Sequence, residues 1–347
     1  MNDVKKRDQY WDLLKGMAIV LMLIGHSIQC GNGYEYYIER DFFDNTTFKL
    51  IYGFHMPLFM FISGYFFYLS IQKRTLYEYL KKNILQIFIP IVSFGSITFI
   101  IDNITRFTDF TIIAALKSYI VNILSTLWFL WAILLSSTLL SILNKCKLDS
   151  WYVNLGIIVI LYSIPDVYFI IAGFKYLYPY YFLAYKYHQY NVLKEIGLQY
   201  NLIIGIIATI VYVMLMIFCY TEHTYIYTSY TYIFQQGMIG FHLYNDLLRT
   251  LVGVLGIIGV LGISRYLYQS YPYNSTFIRK LLTILGVNSM GIYCFQDLIM
   301  KRIPMIISDD YYLSELLVFT VVLLFSYFAT YISQRIRPVR VLFLGGR

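Results

Sequence analysis

The sequence predicts an all-α integral membrane protein, a bundle of about ten transmembrane helices in a single membrane-embedded domain that covers residues 1–347. Three observations lead to this prediction. Hydrophobic residues make up 59% of the chain and charged residues 13%, whereas a soluble domain averages about 25% charged residues. Ten runs of about 20 residues are mostly apolar, which is the length that a helix needs to cross a bilayer. Lys and Arg are concentrated in alternate loops between these runs.

The ten predicted spans follow one another with short polar connections. They cover residues 11–29, 50–70, 84–102, 127–143, 151–165, 167–186, 199–220, 245–266, 281–300 and 313–333. The fifth and sixth are short, because Pro165-Asp166 separates them and Lys175 interrupts the second of the two. Residues 108–125 are expected to form an amphipathic or re-entrant segment before the fourth span.

The basic residues orient the bundle. If the N-terminus is cytoplasmic, 18 of the 27 Lys and Arg residues lie in inside segments and six in outside segments, and the other three lie within spans. Inside loops carry the excess of positive charge in membrane proteins, so both termini are predicted to be cytoplasmic in a multi-pass protein of the plasma membrane. Because orientation accounts for the net charge of +8, no nucleic-acid partner is expected. No cleavable signal peptide is expected either, since the first apolar run lacks a small-residue cleavage site.

The first span contains three ionisable residues, Asp12, Lys15 and His26. Ionisable side chains inside a membrane are costly and are functional candidates. Lys15 and His26 are eleven residues apart, within about 20° of three full helical turns, and about 16 Å apart along the axis. Asp12 precedes Lys15 by three residues, a spacing that allows a side-chain pair. The spacing therefore predicts Lys15 near the cytoplasmic face and His26 in the outer half of the membrane.

Three sequence blocks resemble one family. Lys15, ten further residues and then His26, preceded by Gly25, resemble the basic-x10-His signature of the integral-membrane acyltransferase-3 family, whose members include fucose O-acetylase-like proteins. The segment from Phe54-His55-Met56-Pro57-Leu58-Phe59 to Ser63-Gly64-Tyr65 is similar to a second block of that family, and Leu127-Trp128-Phe129-Leu130 to a third. The resemblance covers nearly the whole chain and implies O-acylation of cell-surface polysaccharides.

Acyl transfer to a sugar hydroxyl needs a base for the hydroxyl proton and donors for the oxyanion. His26 is expected to be that base, or the residue that briefly carries the acyl group. The alternative is a histidine that only hydrogen-bonds a neighbouring helix. Lys15 is expected to bind the phosphates of the donor or polarise its carbonyl, unless it only reaches the headgroups. Asp12 is expected to orient Lys15.

His55 also lies in the outer half, because the second span enters from outside. It is a candidate second proton carrier or sugar-hydroxyl partner, or else an interior histidine with satisfied hydrogen bonds. Further candidates for substrate or donor binding are Ser63, Lys81, Lys82, Trp128, Asp246 and Arg249. Each has a plainer alternative: helix packing for Ser63 and Trp128, an orientation signal for the two lysines, and a structural ion pair for Asp246 and Arg249.

The sequence departs from the family pattern at two positions where the family often has histidine, Thr126 and Gln296. Neither metal ligands at a typical spacing nor a Gly-rich phosphate loop is present, so no metal site and no tightly bound cofactor are expected. The four cysteines show no framework spacing.

The expected function is transfer of an acyl group, above all acetyl, from cytoplasmic acetyl-CoA or another acyl-CoA. The expected acceptor is a hydroxyl of a cell-surface or exported polysaccharide, or of its lipid-linked precursor. The expected partners are the acyl-CoA, the glycan and the lipid bilayer, and a homo-oligomer stays open. The rival hypothesis is a transporter or flippase of glycan intermediates, in which the same buried charges line a path. A catalytically inactive relative that binds sugars is a third hypothesis.

Overall fold

The computed structural model describes residues 8–31, 41–104, 111–164, 169–226, 238–270, 276–300 and 311–346. All regular structure in these residues is helical, which confirms the all-α prediction for this part of the chain. The helices are α1 (Gln9–Gly31), α2 (Thr46–Tyr52), α3 (His55–Ile71), α4 (Leu76–Asn83), α5 (Ile89–Asn103), α6 (Ile112–Ser125), α7 (Trp128–Lys145), α8 (Trp151–Tyr162), α9 (Phe169–Gln189), α10 (Val192–Glu195), α11 (Leu198–Phe218), α12 (Ile239–Ser270), α13 (Phe277–Val287), α14 (Ser289–Met300), α15 (Tyr311–Arg335) and α16 (Arg337–Leu344).

Seven helical segments of the described residues are long and apolar enough to cross a membrane. They correspond to the first four predicted spans and to the seventh, eighth and tenth. An eighth crossing is formed if α13 and α14 together count as one span, although the two are bent by 76° at Asn288. This bent pair corresponds to the ninth predicted span.

The number of crossings depends on whether the fifth and sixth predicted spans, which correspond to α8 and α9, cross the membrane. Helix α8 has 12 residues and is about 18 Å long, shorter than a hydrocarbon core of about 30 Å. Helix α9 has 21 residues, enough for a crossing, but it contains Lys175 and Lys186. Pro165 and Asp166, between the two helices, lie outside the described residues. The structure thus supports seven or eight crossings by length and composition, and ten stays a prediction.

Two further predicted spans are interrupted. The second is divided at Gly53-Phe54, where α2 ends and α3 begins. The third is preceded by α4, whose first turn is capped by Thr75 and Glu78, and it begins with a π-helical turn at Ile84–Phe88 that leads into α5. Such interruptions change the direction in which the following side chains point. The break at Gly53 decides how the residues around His55 are arranged.

Helix α1 lies in the centre of the bundle, in contact with α3, α13, α14 and α15. Two glycines let the backbones of α1 and α13 touch. A Cβ atom at Gly16 would overlap the carbonyl oxygen of Leu282, and one at Gly286 would overlap that of Asp12. Small residues permit such close approach between membrane helices. This crossing fixes the inner half of α1, where Asp12 and Lys15 are located.

Burial separates central helices from peripheral ones. The apolar windows of α1 and of the α2–α3 segment are 61% and 67% buried, whereas those of α11 and α15 are 22% and 28% buried. Apolar side chains that remain exposed on long helices are suited to contact lipid. The two motifs of the first and second spans therefore lie in the interior, where ionisable groups of membrane proteins are expected.

Candidate active site

Helix α1 carries Lys15 and His26 into separate surroundings. It is continuous from Gln9 to Gly31, so the two residues are about 16 Å apart along its axis. Lys15 lines a cavity at one level of the bundle, and His26 belongs to a hydrogen-bonded group at another. One reacting carbonyl therefore cannot contact both side chains at the same time.

The cavity beside Lys15 has a volume of about 90 Å³. Nζ of Lys15 is 3.5 Å from Oδ1 of Asp12, the partner predicted from their spacing. It is also 4.7 Å from the centroid of the Phe66 ring, over which it makes a cation–π contact. Asp12 is 3% exposed, so its carboxylate holds the ammonium group at the cavity wall.

Residues from three other sequence blocks line the same cavity. They are Ser63 on α3, Phe129 and Leu130 on α7, and Ser289 and Tyr293 on α14. The Tyr293 hydroxyl accepts a hydrogen bond from the backbone N–H of Phe129 at 3.3 Å, which joins α14 to α7. The Ser63 hydroxyl donates to the carbonyl of Phe59 at 2.9 Å, a bond within its own helix.

A residue in the left-handed region starts α7. Leu127 has φ 51° and ψ 44°, a conformation that is unfavourable for a residue with a branched side chain and that is often found at functional sites. It produces a sharp turn between Thr126, after α6, and Trp128. Trp128 and Phe129 then line two different cavities. The strained residue is thus the first of the third sequence block.

His26 lies against two polar side chains that the sequence analysis did not single out. Its Nδ1 atom is 2.9 Å from Oε1 of Gln29 and 3.0 Å from the hydroxyl oxygen of Tyr52. The Tyr52 hydroxyl donates to the same Gln29 oxygen at 2.8 Å. Gln29 is 2% exposed and Tyr52 5% exposed, so the two partners are shielded from water, while His26 itself is half-buried.

Gly25 explains how Tyr52 reaches His26. A Cβ atom at Gly25 would overlap the edge of the Tyr52 ring. The glycine of the Gly25-His26 pair therefore provides the space that the tyrosine occupies. The sequence contained a signal for these contacts, because Gln29 follows His26 by three residues and Tyr52 precedes His55 by three.

His55 lies on the other side of Tyr52. It is 1% exposed, its Nδ1–H donates to the carbonyl of Ile51 at 2.9 Å, and its ring centroid is 4.7 Å from that of Tyr52. The two histidines predicted at similar depth are therefore neighbours through one tyrosine. In the neutral ring, this bond leaves the lone pair of His55 on Nε2.

A buried ion cluster lies next to His55. Asp246 is 3.3 Å from Nη1 of Arg249, as their spacing predicted, and 2.8 Å from Nζ of Lys175. The Nε of Arg249 donates to the carbonyl of Thr224 at 2.7 Å, and its guanidinium carbon is 5.4 Å from the Tyr176 ring centroid. Lys175, Asp246 and Arg249 are each at most 4% exposed, so the cluster belongs to the interior.

The ion cluster and the histidine group share a small cavity of about 10 Å³, the size of about one water molecule. Its lining includes Tyr52, His55, Met56, Trp128, Tyr176, Tyr220, Tyr225 and Arg249. Burial, together with the neighbouring hydroxyls of Tyr220 and Tyr212, raises the pKa of Tyr225 well above its usual value. Its hydroxyl is therefore protonated at neutral pH and can donate a hydrogen bond.

Two phenylalanine rings lie at the boundary between the two cavities. On α3, His55 and Met56 line the small cavity and Phe59 the Lys15 cavity, and on α7 the lining changes between Trp128 and Phe129. The ring centroids of Phe59 and Phe129 are 5.9 Å apart. The path from Lys15 towards His55 therefore leads past this pair.

The other candidate residues are placed apart from these cavities. Lys81 is exposed at the end of α4, and Nζ of Lys82 donates to the Ser70 hydroxyl at 3.3 Å. Thr126 and Gln296, where the resembling family often has histidine, are both buried. Within the described residues, no group of three or more His, Cys, Asp or Glu side chains could hold a metal ion.

Comparison with known proteins identifies similar sequences. The model of a family described as an acyltransferase domain, Acyl_transf_3, matches residues 8–335. A nodulation protein NolL from Mesorhizobium japonicum is 30% identical over 185 residues, which are 53% of this chain and 48% of that protein. A NolL protein from Sinorhizobium fredii is 29% identical over 184 residues, with 53% and 49% covered. The chain thus spans about half the length of these curated relatives, and no solved structure matches it significantly.

Proposed function

This chain belongs to the acyltransferase-3 family, whose domain model it matches over residues 8–335, and we propose that it is a membrane O-acyltransferase. The donor is a cytoplasmic acyl-CoA, above all acetyl-CoA. The acceptor is a hydroxyl of a cell-surface or exported polysaccharide or of its lipid-linked precursor. One observation carries the proposal: residues from separate sequence blocks line one interior cavity, namely Lys15, Ser63, Phe129, Ser289 and Tyr293. Lys15 belongs to α1, the helix that also carries His26.

The proposed topology is ten crossings of the plasma membrane by one domain, with both termini cytoplasmic. The positive-inside bias supports it. In this orientation Lys15 and Asp12 are in the inner half, on the side from which the donor enters. Lys15 attracts the anionic part of the donor, and Lys81 and Lys82 add positive charge at the cytoplasmic ends of α4 and α5.

The separation of Lys15 from His26 suits an extended donor. An extended peptide covers about 3.4 Å per residue, and the pantetheine arm of coenzyme A is as long as about four to five residues. Such an arm spans the roughly 16 Å between the two side chains. With its phosphates towards Lys15, the donor presents its thioester near His26 once it has passed the Phe59–Phe129 pair.

His26 acts as the base. It takes the proton of the acceptor hydroxyl while the oxygen attacks the thioester carbonyl, and donors around the site stabilise the oxyanion. The carbon–sulfur bond then breaks, and the imidazolium returns the proton to the leaving thiolate. His55 and Trp128 lie on the acceptor side, where the His55 imidazole is a hydrogen-bond partner for a sugar hydroxyl. The Lys175–Asp246–Arg249 cluster supports the small cavity that His55 and Trp128 line.

The test uses purified protein in nanodiscs with acetyl-CoA labelled in the acetyl group. Label transferred to added polysaccharide and free coenzyme A are both measured. We expect His26→Ala to lower turnover by about 10²- to 10⁴-fold, the contribution of a positioned general base. The matched control is His223→Ala, because the His223 side chain is 44% exposed, and it should keep wild-type turnover.

The outcomes separate the hypotheses. A rapid-quench experiment that traps label on wild-type protein but not on His26→Ala would make His26 an acyl carrier instead of a base. Turnover that survives in folded His26→Ala would keep the enzyme and refute its mechanism. If neither binding nor turnover of several acyl-CoAs is measured, while glycan lipids move across proteoliposomes, the transporter hypothesis replaces the proposal.

A further inference from the structure

We infer that Gln29 and Tyr52 are positioning residues that hold the imidazole of His26 with its proton on Nδ1, so that Nε2 faces the reaction as the base. This inference rests on the proposed role of His26 and adds residues that belong to none of the sequence blocks of the family. It starts from the three atoms that meet between α1 and α2: Nδ1 of His26, Oε1 of Gln29 and the hydroxyl of Tyr52.

The chemistry of an amide oxygen assigns the proton. Oε1 of Gln29 can only accept hydrogen bonds. It lies 2.9 Å from Nδ1 of His26, so with the amide in this orientation Nδ1 is the donor. The Tyr52 hydroxyl donates to the same oxygen, and its own oxygen, 3.0 Å from Nδ1, can share the Nδ1 proton. This assignment gives both contacts of Oε1 a donor, and Nε2 of Gln29 has no hydrogen-bond partner among the described residues.

A neutral imidazole carries one proton. With that proton on Nδ1, the lone pair is on Nε2, and Nε2 is the nitrogen that can take a proton from a hydroxyl. The opposite tautomer would present an N–H to the acceptor and could not act as a base. A partner on the far nitrogen of a catalytic histidine has this effect in other acyl-transfer enzymes as well.

Burial of Gln29 and Tyr52 strengthens the preference of His26 for one tautomer. Gln29 and Tyr52 are almost completely buried, and low-dielectric surroundings strengthen a satisfied hydrogen bond and penalise an unsatisfied one. Water therefore does not replace the amide oxygen readily if Gln29 is lost. The partner is also neutral, so it orients the ring but stabilises the protonated imidazolium less than a carboxylate would. Among the described residues, the titratable rings beside this group are those of Tyr52 and, beyond it, His55.

The experiment compares wild-type protein with Gln29→Leu, Gln29→Glu and Tyr52→Phe in nanodiscs. Gln29→Leu removes the acceptor, and we expect kcat to fall about tenfold to a hundredfold with KM unchanged, as for orienting partners of other functional histidines. Gln29→Glu keeps an acceptor and adds negative charge, which stabilises the imidazolium. Its turnover should approach that of the wild type at high pH, and the acidic limb of its activity–pH profile should move up by about one pH unit.

Two further measurements make the test independent of turnover. Nitrogen-15 NMR of ring-labelled histidine, assigned by comparison with His26→Ala, reports which nitrogen of His26 carries the proton. Wild type and Gln29→Glu should show the proton on Nδ1, and Gln29→Leu should show a mixture. The matched controls are Gln72→Leu and Tyr77→Phe, because both side chains are exposed; neither should change kcat or the spectrum.

Several results would overturn the inference: a wild-type spectrum with the proton on Nε2, wild-type kcat in Gln29→Leu, or an equal loss in Gln29→Glu and Gln29→Leu. If Gln29→Leu does not fold, Gln29→Glu and Tyr52→Phe carry the same test, with a smaller kcat loss expected for Tyr52→Phe. If wild-type protein uses no acyl donor, the proposed function fails, while the spectrum still decides the tautomer.

Discussion

Gly25 allows the Tyr52 ring to pack against α1 beside His26. Any side chain at this position would occupy the space of the Tyr52 ring, and Tyr52 contacts both His26 and His55. The pair Gly25-His26 therefore supplies both the histidine and the space for the Tyr52 ring that contacts it.

We predict that Gly25→Ala lowers kcat by about tenfold to a hundredfold, because displacing Tyr52 shifts the reacting groups and a misplacement of about 1 Å has such an effect. Turnover and the His26 ring spectrum are measured together. The control is Gly156→Ala on α8, since nothing lies within 4 Å of a Cβ atom there. Alanine suits a helix interior better than glycine, so this variant should keep both activity and stability. Normal kcat in Gly25→Ala would refute the role given to Tyr52.

Asp246 is the anion that two buried cations share. Lys175 and Arg249 both contact its carboxylate, and removing one member of a buried charge group typically destabilises by about 3–5 kcal/mol. We predict that Asp246→Asn lowers the thermal unfolding temperature in detergent strongly, and with it the yield of monodisperse protein.

The control for this variant is Glu222→Gln. Its carboxylate lies 3.6 Å from His223, with 47% of the side chain exposed, and exposed pairs contribute at most about 1 kcal/mol. An Asp246→Asn protein with wild-type stability and lost turnover would instead make the cluster part of the substrate site.

At the scale of elements, the sequence predicted which segments are helical better than where they break. The apolar runs identified most spans, because burial in lipid needs about 20 apolar residues whatever the neighbours are. The breaks at Gly53 and Asn288 depend on tertiary packing, which the pattern of one segment does not contain. Lys15, His26 and His55 could be chosen as candidates from their motifs, whereas choosing Tyr52 among 37 tyrosines requires the break between α2 and α3.

The interface of α3 with α7 is expected to limit the length of the acyl group that the protein accepts. Phe59 and Phe129 line the 90 Å³ cavity beside Lys15 where it borders the small cavity beside His55, so the acyl end of the proposed donor passes against them. We predict that Phe59→Ala raises the ratio of kcat/KM for butyryl-CoA to that for acetyl-CoA by about tenfold, because one or two methylenes in an apolar pocket change discrimination by about that much.

Competition between the two donors measures this ratio directly. Phe277→Ala is the control, as Phe277 is 80% exposed and should leave the ratio unchanged. If the kcat/KM ratio of butyryl-CoA to acetyl-CoA is the same in Phe59→Ala as in the wild type, the acyl group does not contact Phe59.

At the scale of the whole molecule, the packing of α9 bears on the prediction of ten crossings. Helix α9 is 21 residues long and packs along α3 and α7, which both belong to segments long and apolar enough to cross. If α9 crosses beside them, the chain can begin α11 on the inside only if α8 crosses as well. Local thinning of the bilayer can accommodate a helix that is too short, such as α8 with its 12 residues.

The two ends of α8 test this topology. Cys146, before α8, and Ser163, after it, are both exposed. In a background without the other cysteines, one protein keeps Cys146 and a second has Cys146→Ser with Ser163→Cys. With ten crossings and cytoplasmic termini, a membrane-impermeant maleimide should label the Ser163→Cys protein in intact cells and the Cys146 protein only after permeabilisation. Protection of both sites would mean that α8 and α9 enter and leave on the inner side, which gives eight crossings. Labelling of Cys146 in intact cells would reverse the bundle and place Lys15 on the side opposite to the cytoplasmic donor.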